Sequence, residues 1–180
     1  MMTLTDREWK AFYISDEKDN GIFKLRASLS GIDKNKLVAC KEPDIPYITR
    51  SDFNNGVLSF VQEDKKLIQK GNAIGFIKNG NGSAGYAIYK YESFISTSDV
   101  IFAYANWLNK YIGLFIITCS DMSQEKYSHG YKWTKERLLK SGIMLPVNEY
   151  GIPDYEYMEK YSKNLLCEKI QRYIKYIENK

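Results

Sequence analysis

The last 26 residues of the chain, 155–180, constrain the fold most. They contain neither glycine nor proline, and their apolar side chains recur every three or four residues, which is the period of an α-helix. A helix over this range would be about 39 Å long, more than a domain of this size needs to cover its own sheet. We therefore expect its apolar stripe either to pack on its own domain or to meet a partner. The stripe consists of Tyr161, Leu165, Leu166, Ile170, Tyr173, Ile174 and Ile177.

Upstream of this helix, turn signals separate short runs that alternate between apolar and polar residues, as strands do. The turn signal Asn54-Asn55-Gly56 predicts a hairpin, and the glycine-rich segment 79–84 predicts a loop between two further strands. Pro46 indicates a sheet edge or the start of a strand. The predicted strands are 22–26, 45–49, 57–61, 72–78, 85–90 and 143–147.

Two more segments have the helical period. Apolar residues predict a helix over 99–118, capped by Ser98 or Asp99 and broken at Gly113. A shorter helix is predicted over 135–140. Strands and helices in this order predict a mixed α/β (α+β) fold.

The composition argues against several classes of chemistry. Cys40, Cys119 and Cys167 lie far apart and His129 is the single histidine, so we expect neither a structural zinc site nor a catalytic imidazole. The odd number of cysteines and the lack of an apolar leader indicate a reducing, cytoplasmic setting. The longest apolar stretch, 111–119, is too short to cross a bilayer. We expect a soluble protein that uses no cofactor and no metal.

A magnesium-dependent nuclease is an alternative interpretation. Asp44, Glu63 and Lys65 match the spacing of the PD-(D/E)xK motif, in which two carboxylates hold Mg²⁺ and a lysine assists. The same pattern recurs near the C-terminus, beginning at Asp154. Two matches in a chain with 27% charged residues indicate chance.

Three polar segments, 49–55, 78–83 and 126–135, carry the side chains that DNA-binding proteins use. Arg and Lys pair with guanine, Asn pairs with adenine, and Ser, Thr and Lys bind phosphates. The net charge of +4 permits a polyanionic partner without requiring one. Solvated loops would have much the same composition, so this pattern alone leaves both interpretations open.

Three pieces of the sequence form a more specific set: Ile-Pro-Tyr-Ile-Thr-Arg at 45–50, Leu-Pro at 145–146 and Gly-x-Pro-Asp at 151–154. In order and spacing they resemble the target-recognition domains of specificity subunits in type I and BcgI-like restriction-modification systems. The resemblance covers nearly the whole chain. Its other segments are Trp9-Lys10 with 21–23, 54–56, 71–74, Tyr131-Lys132 with Arg137-Leu138, and Met158-Glu159.

The resemblance implies a target-recognition domain with a twisted sheet over 1–154, followed by a spacer and dimerisation helix over 155–180. Such a domain reads one half of a bipartite site in double-stranded DNA and directs partner methyltransferase and restriction subunits, with no catalysis of its own. A typical specificity subunit carries two such domains and two helices, whereas this sequence has one of each. The sequence therefore resembles a half-subunit, for which two interpretations stay open. It forms a homodimer through its helix and reads a palindromic site, or it is a fragment or one arm of a larger assembly.

The residues expected to contact DNA lie in the polar segments. Recognition residues differ between members of the family, so these are chosen by chemistry and position. They are Arg50, Ser51, Asn54, Asn55, Lys78, Asn79, Asn81, Ser83, Tyr131 and Lys132.

Overall fold

A computed structural model describes residues 2–29, 34–38, 44–80, 82–127 and 131–180. Cys40, Asn81 and His129 lie outside these ranges. Within them the chain forms two β-sheets and three α-helices, which confirms the predicted α+β fold class. None of the described helices combines the length and the apolar character that crossing a bilayer requires.

The elements follow one another along the chain with strands first and the long helix last. The helices are α1 (Lys110–Asp121), α2 (Lys135–Leu139) and α3 (Tyr155–Glu178). The strands are β1 (Trp9–Ser15), β2 (Gly21–Ala27), β3 (Ile45–Ile48), β4 (Val57–Val61), β5 (Ala73–Ile77), β6 (Ala87–Lys90), β7 (Ile95–Ser96), β8 (Val100–Tyr104) and β9 (Gly142–Pro146).

The described strands of the larger sheet run in the order β6-β5-β8-β2-β1-β9, and those of the smaller sheet in the order β4-β3-β7. Paired strands are antiparallel except for β1 with β2 and β3 with β7, which are parallel. The predicted strands at β2 and β9 and the hairpins β3–β4 and β5–β6 are confirmed. Strand β3 lies between two neighbours, so Pro46 marks the start of the strand and not a sheet edge. Pro46 is tolerated there because the pairing with β7 begins only at Tyr47.

The predicted helix over 99–118 is wrong in its first half. Val100–Tyr104 is a strand between β5 and β2, and α1 begins after its N-cap Asn109. A strand that is buried on both faces is a continuous apolar run, so its sequence satisfies the helical spacing as well. Gly113 does not break α1, which continues through it. Glycine stands at this position because the ring of Tyr89 occupies the space that a side chain would need.

Helix α1 covers one face of the larger sheet, and its residues Ile112 and Ile116 lie in the main core. A second cluster connects the two sheets: it contains Ile48 of β3 and Phe102 of β8, and the rings of Phe94 and Phe102 lie 4.4 Å apart. The loop after β3 is therefore held at a fixed place beside the larger sheet.

The predicted terminal helix is confirmed, and α3 packs on the domain through its first turns. The Asp154 carboxylate caps it by accepting a hydrogen bond from the Tyr157 amide at 3.0 Å. The rings of Trp107 and Tyr155 stack with their centroids 3.9 Å apart. Most of the side chains after the first two turns are exposed. The helix thus has a packed first part and a second part that projects from the domain.

Candidate functional site

Four segments that are distant in sequence meet at one end of the larger sheet. The amide of Lys78, which follows β5, donates to the Asp99 carbonyl at 2.8 Å, and the Lys78 carbonyl accepts from the Trp133 amide at 3.0 Å. The guanidinium of Arg50 lies 3.6 Å from the Asp99 carboxylate, and its side chain is 57% exposed. These contacts bring together five of the predicted DNA contacts, which we call the polar end: Arg50, Lys78, Asn79, Tyr131 and Lys132.

The glycine-rich loop is fastened to the segment that carries Arg50. The hydroxyl of Ser83 donates to the Arg50 carbonyl at 2.7 Å, and Ser83 is only 4% exposed. A Cβ on Gly80 would lie 2.2 Å from Ser83 Oγ, so only glycine permits this approach. Ser83 therefore positions Arg50. Asn81, predicted from the same loop, lies outside the described residues.

The loop after β3 carries the predicted DNA contacts Ser51, Asn54 and Asn55, whose side chains differ in their surroundings. Asn54 and Asn55 both adopt left-handed backbone angles, with φ of 49° and 51°, which asparagine accepts more readily than most residues. The Asn55 side chain donates to the Tyr89 carbonyl at 2.8 Å, which ties the loop to β6. Asn54 is exposed, and the Ser51 hydroxyl accepts a hydrogen bond from the Phe53 amide at 3.2 Å. Asn55 has a positioning role, and Asn54 faces solvent.

Arg137 holds the last two members of the polar end. Its guanidinium carbon lies 3.6 Å from the centroid of the Tyr131 ring, and its Nη1 donates to the Lys132 carbonyl at 2.7 Å. Tyr131 is half exposed, and Lys132 is exposed. The predicted DNA contacts did not include Arg137. Arg137 lies in the first turn of α2, three residues after the cap Thr134. Nothing in the sequence indicates that its side chain folds back over the ring of Tyr131.

The predicted nuclease residues do not form a metal site in the described ranges. The Asp44 carboxylate accepts a hydrogen bond from the Glu63 amide at 2.8 Å, so it fastens the β3–β4 hairpin. Lys65 lies in the exposed turn that follows β4. No group of three or more His, Cys, Asp or Glu among the described residues could hold a metal ion.

The predicted dimerisation stripe on α3 has two parts. Tyr161 packs on its own domain, with its ring edge-on to Phe115 at 5.7 Å. The remaining residues are between 42% and 63% exposed in the single chain, and they are Leu165, Leu166, Ile170, Tyr173, Ile174 and Ile177.

Comparison with known proteins identifies the family of the chain. A family model described as the type I restriction modification DNA specificity domain matches residues 18–176. The chain belongs to this family. The resemblance seen in the sequence motifs is thereby confirmed, and the nuclease alternative built on Asp44, Glu63 and Lys65 is not supported.

Relatives of this specificity domain are longer than the chain. The chain is 31% identical over 165 residues to S.BcgI, the specificity subunit of a type II restriction enzyme from Heyndrickxia coagulans. The match covers 89% of this chain and 44% of that protein. The chain therefore spans less than half the length of this relative.

Solved structures share the fold at low identity. The S subunit of a type I restriction-modification system from M. genitalium matches with a TM-score of 0.62 and 16% identity, over 98% of this chain and 43% of that one. The HsdS subunit from Thermoanaerobacter tengcongensis matches with a TM-score of 0.54 and 9% identity, over 95% of this chain and 39% of that one. The specificity-domain fold thus extends over almost the whole chain.

Proposed function

We propose that this chain reads one half of a bipartite site in double-stranded DNA as a specificity component of a restriction-modification system. Membership in the family supports the proposal, and the polar end is the observation that carries it. Exposed Arg, Lys and Tyr side chains from separate segments converge there on a rigid sheet, which suits contacts to base edges and phosphates.

Within this function the predicted residues divide into contacts and supports. Asn55 and Ser83 use their side chains to hold loops, so they position their neighbours. Asn81 stays a contact by its place in the sequence. The contacts we assign are Arg50, Ser51, Asn54, Lys78, Asn79, Asn81, Tyr131 and Lys132.

Helix α3 has the role of spacer and dimerisation helix. Residues 1–154 form the recognition domain in this proposal, and 155–180 pair with the same segment of a second copy. The exposed apolar stripe supports pairing, because water-exposed Leu and Ile side chains at helical spacing gain from burial against a second helix. Twofold pairing gives a palindromic bipartite target.

Catalysis belongs to other subunits in this proposal. The chain directs methyltransferase and restriction subunits to their DNA in the cytoplasm and itself needs neither metal nor cofactor. Specificity is then a property of the polar end, and reaction chemistry is supplied by the partners.

Methylation-aware sequencing of the host genome with and without the gene tests this function. We expect one bipartite motif to lose its methyl mark on deletion and to regain it when the wild-type gene is restored. The motif should be palindromic if two copies pair. Unchanged methylation at every motif, with the methyltransferase active, would contradict the proposal.

A further inference from the structure

A concave site adjoins the polar end. It is a cleft of about 500 Å³ between the last turn of α1, the segment after it, α2 and the start of β9. Three basic and three aromatic side chains line it together with serines, and no Asp or Glu is among its described lining residues. The basic and aromatic residues are Lys126, Arg137, Lys140, Tyr127, Tyr131 and Trp133.

The aromatic wall of the cleft is fixed by stacking and hydrogen bonds. The rings of Tyr127 and Trp133 stack at 4.6 Å, and Tyr131 extends the stack beyond Tyr127 at 6.2 Å. Ser141 Oγ accepts from Trp133 Nε1 at 2.8 Å, shares a hydrogen bond with the Tyr127 hydroxyl at 3.1 Å, and donates to the Arg137 carbonyl at 2.8 Å. The wall therefore needs little reorganisation to receive a ligand.

The cations of the cleft form no ion pair within the part of the chain that the structure describes. Lys126 and Lys140 are exposed, and neither forms an ion pair with a described residue. Ser120, which also lines the cleft, is 3% exposed, and its hydroxyl has no hydrogen-bond partner in the described part of the chain. A buried hydroxyl without a partner is uncommon, and together with three cations it is suited to a ligand with anionic oxygens.

We propose that this cleft binds a phosphate group of the DNA backbone beside the bases read at the polar end, with Lys126 and Lys140 as its cations. Tyr131 belongs both to the cleft and to the polar end, so a strand that crosses the polar end reaches the cleft directly. The inference rests on the proposed function for the identity of the strand. The site adds affinity and sets register without reading sequence.

The indole N–H of Trp133 provides a direct test, because it lies inside the cleft wall. In ¹H–¹⁵N spectra of the full chain its signal, assigned with Trp133→Phe, is expected to shift when a duplex of unrelated sequence is added. The double variant Lys126→Gln/Lys140→Gln should lose the shift, whereas Lys65→Gln/Lys66→Gln, which removes equal charge from the turn after β4, should retain it. An unmoved Trp133 signal with bound duplex would overturn the proposal.

The salt dependence of binding gives a second readout. Loss of one phosphate contact should reduce the slope of log affinity against log salt by about 1 and weaken target and unrelated duplexes by the same factor. An unchanged slope in Lys126→Gln/Lys140→Gln would contradict the site. A Trp133 response to free deoxyadenosine monophosphate alone, with none to duplex, would overturn the assignment to DNA.

These outcomes separate the cleft from the proposed function. A chain that prefers one sequence while Trp133 stays unmoved keeps its reading role and loses the phosphate site. A chain that shows the charge-dependent Trp133 shift without any sequence preference keeps the phosphate site and loses the reading role.

Discussion

Nδ2 of Asn109 lies 3.0 Å from Oε2 of Glu159, so the cap of α1 is bonded to the side of α3. The same side chain accepts hydrogen bonds from the amides of Tyr111 and Ile112 at 2.9 and 3.1 Å. One residue thus begins one helix and holds another. Hydrogen bonds from Lys163 and then from Asn109 lower the pKa of Glu159 below its ordinary value.

Asn109→Ala should lower the free energy of unfolding by about 1–2 kcal/mol, because it removes the helix cap together with the bond to Glu159. Urea denaturation measures this difference. Ser123→Ala is the matched control, since Ser123 is also an N-cap residue but its side chain makes no capping hydrogen bond. If both variants lose the same free energy of unfolding, the capping hydrogen bonds of Asn109 do not stabilise the chain.

Gly113→Ala should destabilise the chain by about 1–3 kcal/mol, the opposite of the usual effect of alanine in a helix. A Cβ there would lie 2.4 Å from Cδ2 of Tyr89, whose hydroxyl is held by Asn72. Gly142→Ala is the control, because its Cβ would meet only the Phe12 carbonyl oxygen at 3.6 Å. A rise in melting temperature for Gly113→Ala would refute the close packing.

Asp121 should make the chain more stable as the pH falls from about 6 towards 4. Burial is the main cause that raises its pKa to about 6 from the ordinary value of 3.8, and the charge of Asp52 adds to it. A raised carboxyl pKa means that the folded chain takes up the proton first, so ionisation above pH 6 is unfavourable to the fold.

Asp121→Asn removes this charge and keeps an oxygen that can accept the hydrogen bond from the Ala87 amide. Its advantage over the wild type in urea denaturation should be greatest near pH 7.5 and shrink below pH 6. Asp19→Asn, which removes a carboxylate from an exposed turn, is the comparison variant. A difference that does not depend on pH would contradict the role of burial.

Arg50→Ala should relax one base position of the recognised site and weaken target binding by about 1–3 kcal/mol. Selection of bound duplexes from a randomised pool, followed by titration, measures both effects. Lys132→Ala is the comparison: we assign Lys132 to a phosphate, and loss of a phosphate contact weakens all duplexes alike. Equal loss on every duplex for Arg50→Ala would show that Arg50 does not read a base.

Ile170→Asp with Ile174→Asp should convert a dimer into a monomer in sedimentation at micromolar concentration, because both charges fall on the exposed apolar stripe. Gln171→Glu adds a charge one residue from Ile170, on the polar side of the helix, and should leave the dimer intact. A monomeric wild-type chain would contradict helix pairing.

The sequence predicted those elements that depend on local pattern. The hairpin around Asn54-Asn55-Gly56 was predictable, because its turn needs three residues with positive φ and asparagine and glycine are the residues that adopt such angles most readily. Helix α3 was predictable because its stripe is uninterrupted. Strand β8 was not, because Val100–Tyr104 is apolar throughout and only its position between β5 and β2 makes it extended.

The candidate site was predictable in composition and not in detail. The polar segments were found, and the structure brings Arg50, Lys78 and Tyr131 to one end of the sheet through pairings far apart in sequence. The supporting roles of Ser83 and Asn55 and the turn of Arg137 back onto Tyr131 depend on tertiary contacts. A single sequence carries no signal for such contacts.

Because α3 packs on the domain through its first turns and its later residues are exposed, its angle to the domain sets the position of its far end. The 17 residues of α3 after Tyr161 span about 26 Å, so a tilt of about 7° at the ring contacts of Tyr155 and Tyr161 moves the far end by about 3 Å. That displacement is about one base-pair step along DNA. If α3 sets the distance between two recognised half-sites, the stiffness of these contacts limits how sharply neighbouring spacings can be told apart.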